Sequence, residues 1–524
     1  MHLSRNFTGL LALLALSLGV HALSAPTVDL GYASYQGSVD PTSNITSFLG
    51  IRYAAPPVGD LRWAAPQPPA TVSGVQQATE QPNECYQAPM GNASTNSFTL
   101  SKRAVSESED CLFLNVYTPG DAVASASSGE GLPVVVWIHG GGYTEGAASS
   151  FNGADLIVDA NYGVITVLIQ YRLGVFGFLP GEAVKEGGAL NAGLLDQNYA
   201  LQWVQAHIAA FGGDPTKVTI WGESAGAGSV LQHLVAHAGN TQPPLFRAAM
   251  TSSTFLPSQY GYNERIPEVP NCTTLACLRA APVDTLQTLN IEINLSGFYG
   301  TFVFVPVVDG TFIVERPTVT IGRGKLNGDA LLSITNTYEG TIFVDLPTVA
   351  NTDVTTYAST LFPDFGPEQA MEAAGVYGAT MLGASDDALA IGVMGESIFI
   401  CPTYYLLEAF GSRAWKGEFA IPPGEHGTDI AYYFTSQGPP YNNSQFITAF
   451  SGGFMSFATS LDVNQKVYPD DITPQWDAWT VGGRTEMLFN ETAAGVPVVQ
   501  PTTTDAGVLE RCAFWRSVSA YTAQ

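Results

Sequence analysis

A serine used as a nucleophile needs a base to take its proton, an acid to orient that base, and donors for the charge that develops on the substrate. Gly222-Glu223-Ser224-Ala225-Gly226 offers the serine. It follows the buried-strand pattern Lys217-Val218-Thr219-Ile220-Trp221 and precedes Ala227-Gly228-Ser229-Val230-Leu231-Gln232-His233-Leu234, which reads as a helix. G-x-S-x-G between strand and helix makes a sharp turn that lifts the hydroxyl above a sheet, and small residues at its ends let the two elements approach closely. Upstream, His139-Gly140-Gly141-Gly142-Tyr143 follows the strand pattern Pro133-Val134-Val135-Val136-Trp137-Ile138. Without Cβ atoms in the way, its backbone N–H groups can face an oxyanion. Gly141 and Gly142, with the N–H of Ala225, are the expected donors.

Elimination among the seven histidines names the base. His2 and His21 lie in the leader described below, His139 belongs to the glycine loop, and His207 falls on the helix before the nucleophile strand. His233 and His237 stand one helical turn apart after it; neither an intervening Glu nor a third ligand accompanies them, so no metal or cofactor is expected. His426 remains, in the glycine-flanked Gly424-Glu425-His426-Gly427-Thr428-Asp429, after a predicted strand Glu418-Phe419-Ala420. Where this elbow occurs, the chain order is Ser, acid, His, which puts the acid between 224 and 426. Two carboxylates fit: Glu339, after the strand Leu331-Leu332-Ser333-Ile334-Thr335, and Asp309, in Val307-Val308-Asp309-Gly310. Position favours Glu339 and leaves Asp309 as its rival.

These residues span 139 to 426, so one fold must gather them. Phe48–Tyr53, Leu112–Tyr117, Pro133–Ile138 and Gly163–Ile169 read as strands, and the continuous β-branched runs suit strands buried on both faces. A helix is predicted over Asn198–Ala210, stopped by Phe211-Gly212-Gly213-Asp214-Pro215. Strand, helix and strand in alternation imply a central, mostly parallel sheet in an α/β unit over 26–524. Ala122 to Gly131 reads as a surface loop, and periodicity in the second half is weak. With 46% apolar and 13% charged residues, the chain buries a large core and is not disordered. Its 20 Lys and Arg against 46 Asp and Glu give a net charge of −26. Lacking a basic cluster, it is not expected to bind nucleic acid or an anionic membrane.

Met1-His2-Leu3-Ser4-Arg5, an apolar run from Leu10 to Val20, and small residues from Ala22 to Ala25 describe a cleaved leader over 1–22, cut between about 22 and 25. No further apolar run is expected to span a membrane, so secretion as a free protein is the expectation. Outside the cell cysteines pair. Proximity favours Cys85 with Cys111 and Cys272 with Cys277, leaving Cys401 with Cys512. Asn44, Asn92, Asn271, Asn294, Asn442 and Asn490 stand in sequons for N-glycans.

Further blocks carry a resemblance: Phe48-Leu49-Gly50-Ile51-Arg52-Tyr53-Ala54-Ala55-Pro56-Pro57, Glu109-Asp110-Cys111-Leu112-Phe113-Leu114-Asn115-Val116, Tyr171-Arg172-Leu173-Gly174, and Asp196-Gln197. With the Ser224 and glycine motifs, the mature chain resembles the type B carboxylesterase/lipase family, α/β-hydrolases that include cholinesterases and fungal secreted lipases. The resemblance implies an α/β-hydrolase fold with cap and flap insertions, Ser224 as nucleophile, Glu339 as acid and His426 as base. It also implies the three cysteine pairings, with Cys85–Cys111 closing a flap. Ser252 stands where members often keep a hydroxyl near the triad, in a Ser-Gly that here is Ser252-Ser253. The implied activity is hydrolysis of small-molecule or lipid esters through an acyl-enzyme. The flap's Tyr86, Met90, Phe98, Leu100 and Val105 are scattered rather than one apolar face, and it has no tryptophan. Neutral aryl and alkyl esters are therefore expected ahead of lipids, sterol esters, feruloyl-type esters or choline esters. A complete triad argues against the non-catalytic adhesion role of some relatives.

Overall fold

The computed structural model describes residues 25–91, 105–120, 122–125, 131–264, 272, 274–350 and 352–524. The expected leader over 1–22, the sequons at Asn92 and Asn271, and Phe98 and Leu100 of the flap lie outside the described residues.

Among the described residues, eleven strands form the main sheet: β1 (Ser38–Asp40), β2 (Ile45–Arg52), β3 (Phe113–Pro119), β4 (Leu132–Ile138), β5 (Ile165–Ile169), β6 (Gly213–Glu223), β7 (Ala248–Ser252), β8 (Ala330–Asn336), β9 (Ala414–Phe419), β10 (Thr485–Glu491) and β11 (Pro497–Thr503). Their spatial order is β11-β10-β9-β8-β7-β6-β4-β5-β3-β2-β1. Pairings from β5 through β4 and β6 to β10 are parallel, and those at both edges are antiparallel. The fold is thus that of an α/β-hydrolase, with a mixed sheet and helical insertions.

Side chains alternate across this sheet into two cores, which explains why the strands read as unbroken apolar runs. Val134, Val136, Ile138, Val218 and Ile220 enter one core with Val230, Leu231 and Leu234 of the helix after Ser224. Val135, Trp137, Trp221, Leu332 and Ile334 enter the other, with Phe446, Phe450 and Phe454. Trp221 stacks on Phe454 at 4.7 Å and meets Trp137 edge-on at 5.1 Å. The helices that matter to the site are α1 (Ala192–His207), α2 (Ala225–Gly239), α3 (Asp386–Gly395), α4 (Cys401–Phe410), α5 (Ser444–Ser460) and α6 (Ala506–Ser517). A π-turn, Glu396–Ile400, joins α3 to α4.

Three local expectations are corrected. The helix expected from Asn198 starts at Ala192, after Asn191 takes a left-handed φ of 53°. Pro215, expected as a helix stop, lies inside β6, where the pairing with β4 shifts register between Leu132 and Val134; a bulge tolerates a residue that cannot donate to the ladder. The loop expected at Ala122 to Gly131 begins with a short helix, Ala122–Ser125. The helical run Asp386–Arg413 is, by length and composition, apolar enough to span a bilayer, but its most apolar stretch is 78% buried inside the protein, as in a core helix. Asn294 is also buried within a helix, its amide bonded to the Asn290 carbonyl at 2.8 Å, so the fold has no room for a glycan there. Asn44 and Asn442 are exposed, and Asn490 is half-buried.

The sequence blocks outside the elbow and glycine loop are largely electrostatic staples. Arg52 grips Asp110 at 2.6 and 2.9 Å, and Arg62 grips Glu109 at 2.5 and 2.8 Å. These pairs fix the base of the Cys85–Cys111 loop, one of three disulfides with Cys272–Cys277 and Cys401–Cys512. Arg172 binds Asp196 through Nε and Nη2, both at 2.7 Å, and through its backbone N–H at 3.1 Å, with both side chains buried. Removing one member of such a pair strands a buried charge. Arg172→Met should therefore lower unfolding free energy by about 3–5 kcal/mol in a urea titration; a loss below about 1 kcal/mol, as for an exposed pair, would contradict this.

Candidate active site

β6 ends at Glu223, Ser224 takes φ 55° and ψ −124°, and α2 begins at Ala225. A non-glycine residue at positive φ is strained, and its surroundings must hold it. Ser224 N–H donates to the Ser252 carbonyl at 2.9 Å, and its carbonyl accepts from Gly228 N–H at 2.8 Å. A Cβ on Gly226 would stand 2.0 Å from the Ile138 carbonyl oxygen, and one on Gly222 would stand 2.4 Å from Gly226. The crossing of β4, β6 and α2 thus admits only glycine at both positions.

The loop after β4 comes against this elbow. A Cβ on Gly140 would lie 3.0 Å from that of Ser224. Gly141 and Gly142 take φ of 94° and 61°; a Cβ on the first would meet the Glu145 carbonyl at 2.2 Å, and on the second the Phe302 ring at 2.1 Å. Ala225 is the first residue of α2, where an N–H has no intrahelical acceptor. His139 stacks on Tyr171 at 4.5 Å, and burial pushes its pKa down to about 4, so it stays neutral.

His426 sits on the loop after β9, between Gly424 (φ 64°) and Gly427 (φ 77°). Its Nδ1 lies 2.6 Å from Glu339 Oε2, while Nε2 has no hydrogen-bond partner and stands 3.3 Å from Glu223 Oε1. The Glu339 loop is tied to the histidine loop by Tyr338 N–H donating to the Gly424 carbonyl at 2.8 Å. Asp309 is elsewhere: it accepts from Asn191 Nδ2 at 2.6 Å and from the N–H groups of Thr311, Phe312 and Ile313, and so organises its own turn.

Behind the pair lies a polar network that the sequence did not disclose. Glu339 Oε1 accepts from Ser253 Oγ and from Asn336 N–H, both at 2.7 Å. Asn336 Nδ2 donates to Asp429 Oδ1 at 3.0 Å and to Ser253 Oγ at 3.1 Å, and Tyr433 OH donates to Asp429 Oδ2 at 2.7 Å. Ser252 is one step removed, bonded to Tyr433 OH at 3.0 Å and to Trp221 Nε1 at 3.2 Å. The hydroxyl beside the acid is therefore that of Ser253, at φ 58°. Phe399 of the π-turn and Phe343 pack on the imidazole at 4.4 and 4.9 Å.

His233 and His237 form no metal pair. Ala236 to Ala238 leave helical geometry, which separates them; His233 is buried against Gln197 at 3.2 Å with its pKa pushed down to about 3, while His237 is exposed. His207 packs on Trp203 at 5.3 Å. Among the described residues, no group of three or more His, Cys, Asp or Glu is placed to hold a metal ion.

Burial alone would lower the His426 pKa, but Glu223, then Glu339 and Asp429, outweigh it and hold the imidazole above its ordinary value. Burial also pushes Glu223 up to about 8, with His426 pulling the other way. The two groups titrate as a coupled pair. Glu223→Gln removes the titratable carboxyl nearest Nε2 and should lower the His426 pKa in an imidazole NMR titration; an unchanged or raised value would contradict this electrostatic account.

Two cavities reach this region. One of about 270 Å³ is apolar, lined by Phe255, Tyr260, Phe302, Phe362, Met394 and Ile398. The other, of about 570 Å³, has a mixed lining that takes in Gln81, Gln87, Gly140, Gly141, Glu223, Phe151 and Ile430.

Comparisons with known proteins identify the family and the fold. The Carboxylesterase family matches residues 24–515. Carboxylesterase patB of Aspergillus clavatus is 30% identical, over 98% of this chain and 99% of that protein. Secreted lipase 1 of Botryotinia fuckeliana is 33% identical, over 65% of this chain and 64% of its own. The crystal structure of Aspergillus niger EstA superposes with a TM-score of 0.83 at 29% identity, covering 96% of this chain and 99% of that one. An α/β sheet with a serine elbow, a glycine loop and a carboxylate-bound histidine, matched over nearly the whole length, places the chain in the carboxylesterase family, as a serine hydrolase of carboxylic esters.

Proposed function

We propose that Ser224, His426 and Glu339 hydrolyse neutral aryl and alkyl esters through an acyl-enzyme. The observation that carries this reading is the imidazole, held on Nδ1 by Glu339 at 2.6 Å with Nε2 unpaired. Nε2 takes the proton as Ser224 Oγ attacks the ester carbonyl carbon. The carbonyl oxygen becomes an oxyanion facing the N–H groups of Gly141, Gly142 and Ala225, each typically worth ~10²–10³ in rate. The imidazolium, stabilised by Glu339, then protonates the leaving alcohol. Water repeats the sequence on the acyl-enzyme, with His426 as base, and releases the acid. The apolar cavity suits the acyl group, and the cavity of mixed lining, the more polar of the two, suits the alcohol moiety.

We further infer one hydrolase unit over 26–524, exported behind a leader over 1–22. The three disulfides, the N-terminal charge and apolar pattern, and similarity to a protein named Secreted lipase 1 support this. Among the described residues, Asn44, Asn442 and Asn490 are the sequon positions left exposed or half-buried.

Ser224→Ala should lower kcat on p-nitrophenyl butyrate by about 10⁶-fold, as for loss of a serine nucleophile; full retained activity would overturn the assignment. Wild type should turn over p-nitrophenyl butyrate far faster than triolein or cholesteryl esters. The reverse order would replace the esterase reading with that of a lipase or sterol esterase.

A further inference from the structure

Thr522, Ala523 and Gln524, which follow α6, are buried. Gln524 Nε2 donates to the Leu256 carbonyl at 2.6 Å and to the Ser397 carbonyl at 2.9 Å, and its Oε1 accepts from Thr522 Oγ1 at 2.8 Å. Backbone bonds seat it: Gln259 N–H donates to the Ala523 carbonyl at 2.7 Å, and Gln524 N–H to the Ser519 carbonyl at 3.1 Å.

Leu256 and Ser397 belong to the two segments that shape the site. The chain leaving β7 carries Ser253, which donates to Glu339, and then Phe255. The π-turn carries Ile398 and then Phe399, which packs on His426. Phe255 stacks on Phe399 at 5.4 Å, and both Phe255 and Ile398 line the apolar cavity. One backbone bond joins the segments directly, from Leu256 N–H to the Ile398 carbonyl at 2.9 Å.

The π-turn also explains why a donor is needed. Cys401 N–H reaches back five residues to the Glu396 carbonyl. In that register the donor for the Ser397 carbonyl would be residue 402, which is proline and has no N–H. A buried carbonyl requires a partner. A primary amide supplies two N–H groups from one nitrogen, enough for both Ser397 and Leu256.

We propose that Gln524 is a positioning residue for ester hydrolysis, a two-point amide clamp that fixes the spacing between the Ser253 segment and the π-turn. Through Ser253 and Phe399 it sets the Glu339–His426 geometry, and through Phe255 and Ile398 it sets the width of the acyl cavity. This rests on the assignment of Ser224, His426 and Glu339 above.

The test is steady-state kinetics of the full chain on p-nitrophenyl acetate, butyrate and decanoate, with active sites titrated so that rates refer to folded enzyme. Gln524→Ala should lower kcat on butyrate about tenfold with a smaller change in KM, since small displacements of catalytic groups act mainly on rate. It should also change the decanoate-to-butyrate ratio of kcat/KM by about threefold or more. Gln524→Glu keeps the shape but turns oxygen toward two carbonyls; relative to wild type it should lose as much at about pH 8 and recover in part at about pH 5, where a protonated carboxyl regains one donor. A lowered melting temperature with unchanged kcat and unchanged acyl preference would overturn the clamp. Should Gln524→Ala fold poorly, the pH comparison on Gln524→Glu decides, and equal loss at both pH values overturns the proposal. Ser224→Ala, assayed beside them, separates the two readings: if it stays active, the catalytic assignment fails, and if it is inert while both Gln524 variants match wild type, the clamp alone fails.

Discussion

The close crossing of β4, β6 and α2 is the constraint on which the rest of the site depends. Ser224 holds positive φ only because Gly222 and Gly226 let α2 start against the end of β4, within van der Waals contact of the Ile138 carbonyl. The same crossing brings Gly140 against Ser224, so one packing event sets both the proposed nucleophile and the loop proposed to face the developing charge. The two aromatic-rich cores support it from either side. Trp137 and Trp221, in register on the parallel neighbours β4 and β6, are packed edge to face and buried. Such interiors resist displacement, which allows a strained residue to persist.

A second layer is electrostatic. Three carboxylates, Glu223, Glu339 and Asp429, act on one buried imidazole, and their combined field offsets the burial that would otherwise keep it from taking a proton. They are not equivalent. Glu339 is bonded to Nδ1 and fixed by Ser253 and Asn336, Asp429 is satisfied by Asn336 and Tyr433, and Glu223 faces Nε2 without a hydrogen bond from it. In the proposed mechanism the first orients the base, while the last stabilises the imidazolium that forms after Ser224 gives up its proton. Proton transfer in this arrangement needs little reorganisation, because the surrounding dipoles are already in place.

Legibility of these features in the sequence followed the range over which each is determined. The elbow and glycine loop were readable because glycine at fixed offsets reports a local steric demand. The strands were readable because a sheet buried on both faces leaves continuous apolar runs. The network behind Glu339 was not, because Ser253, Asn336 and Asp429 meet across 83 and 93 residues of chain, and nothing local marks a serine or aspartate as a network member. Ser252 was read in place of Ser253 for a related reason: in a strand end the two neighbours point to opposite sides, and only the fold shows which side Glu339 occupies. The His233 and His237 pair looked like one helical face until the backbone left helical geometry at Ala236, and Asn294 looked like a surface acceptor until its helix was packed. Asp309 and Glu339 could not be separated by spacing; their different hydrogen-bond partners separate them in the fold.

The most direct measurement for the proposed nucleophile is covalent trapping with a fluorophosphonate, in which the attacking oxygen bonds to phosphorus and fluoride leaves, followed by peptide mapping of the full chain. The account predicts one phosphonyl group, on Ser224, with labelling strongly slowed in His426→Ala. Labelling at another residue, or an unlabelled Ser224 in protein that still hydrolyses esters, would contradict it.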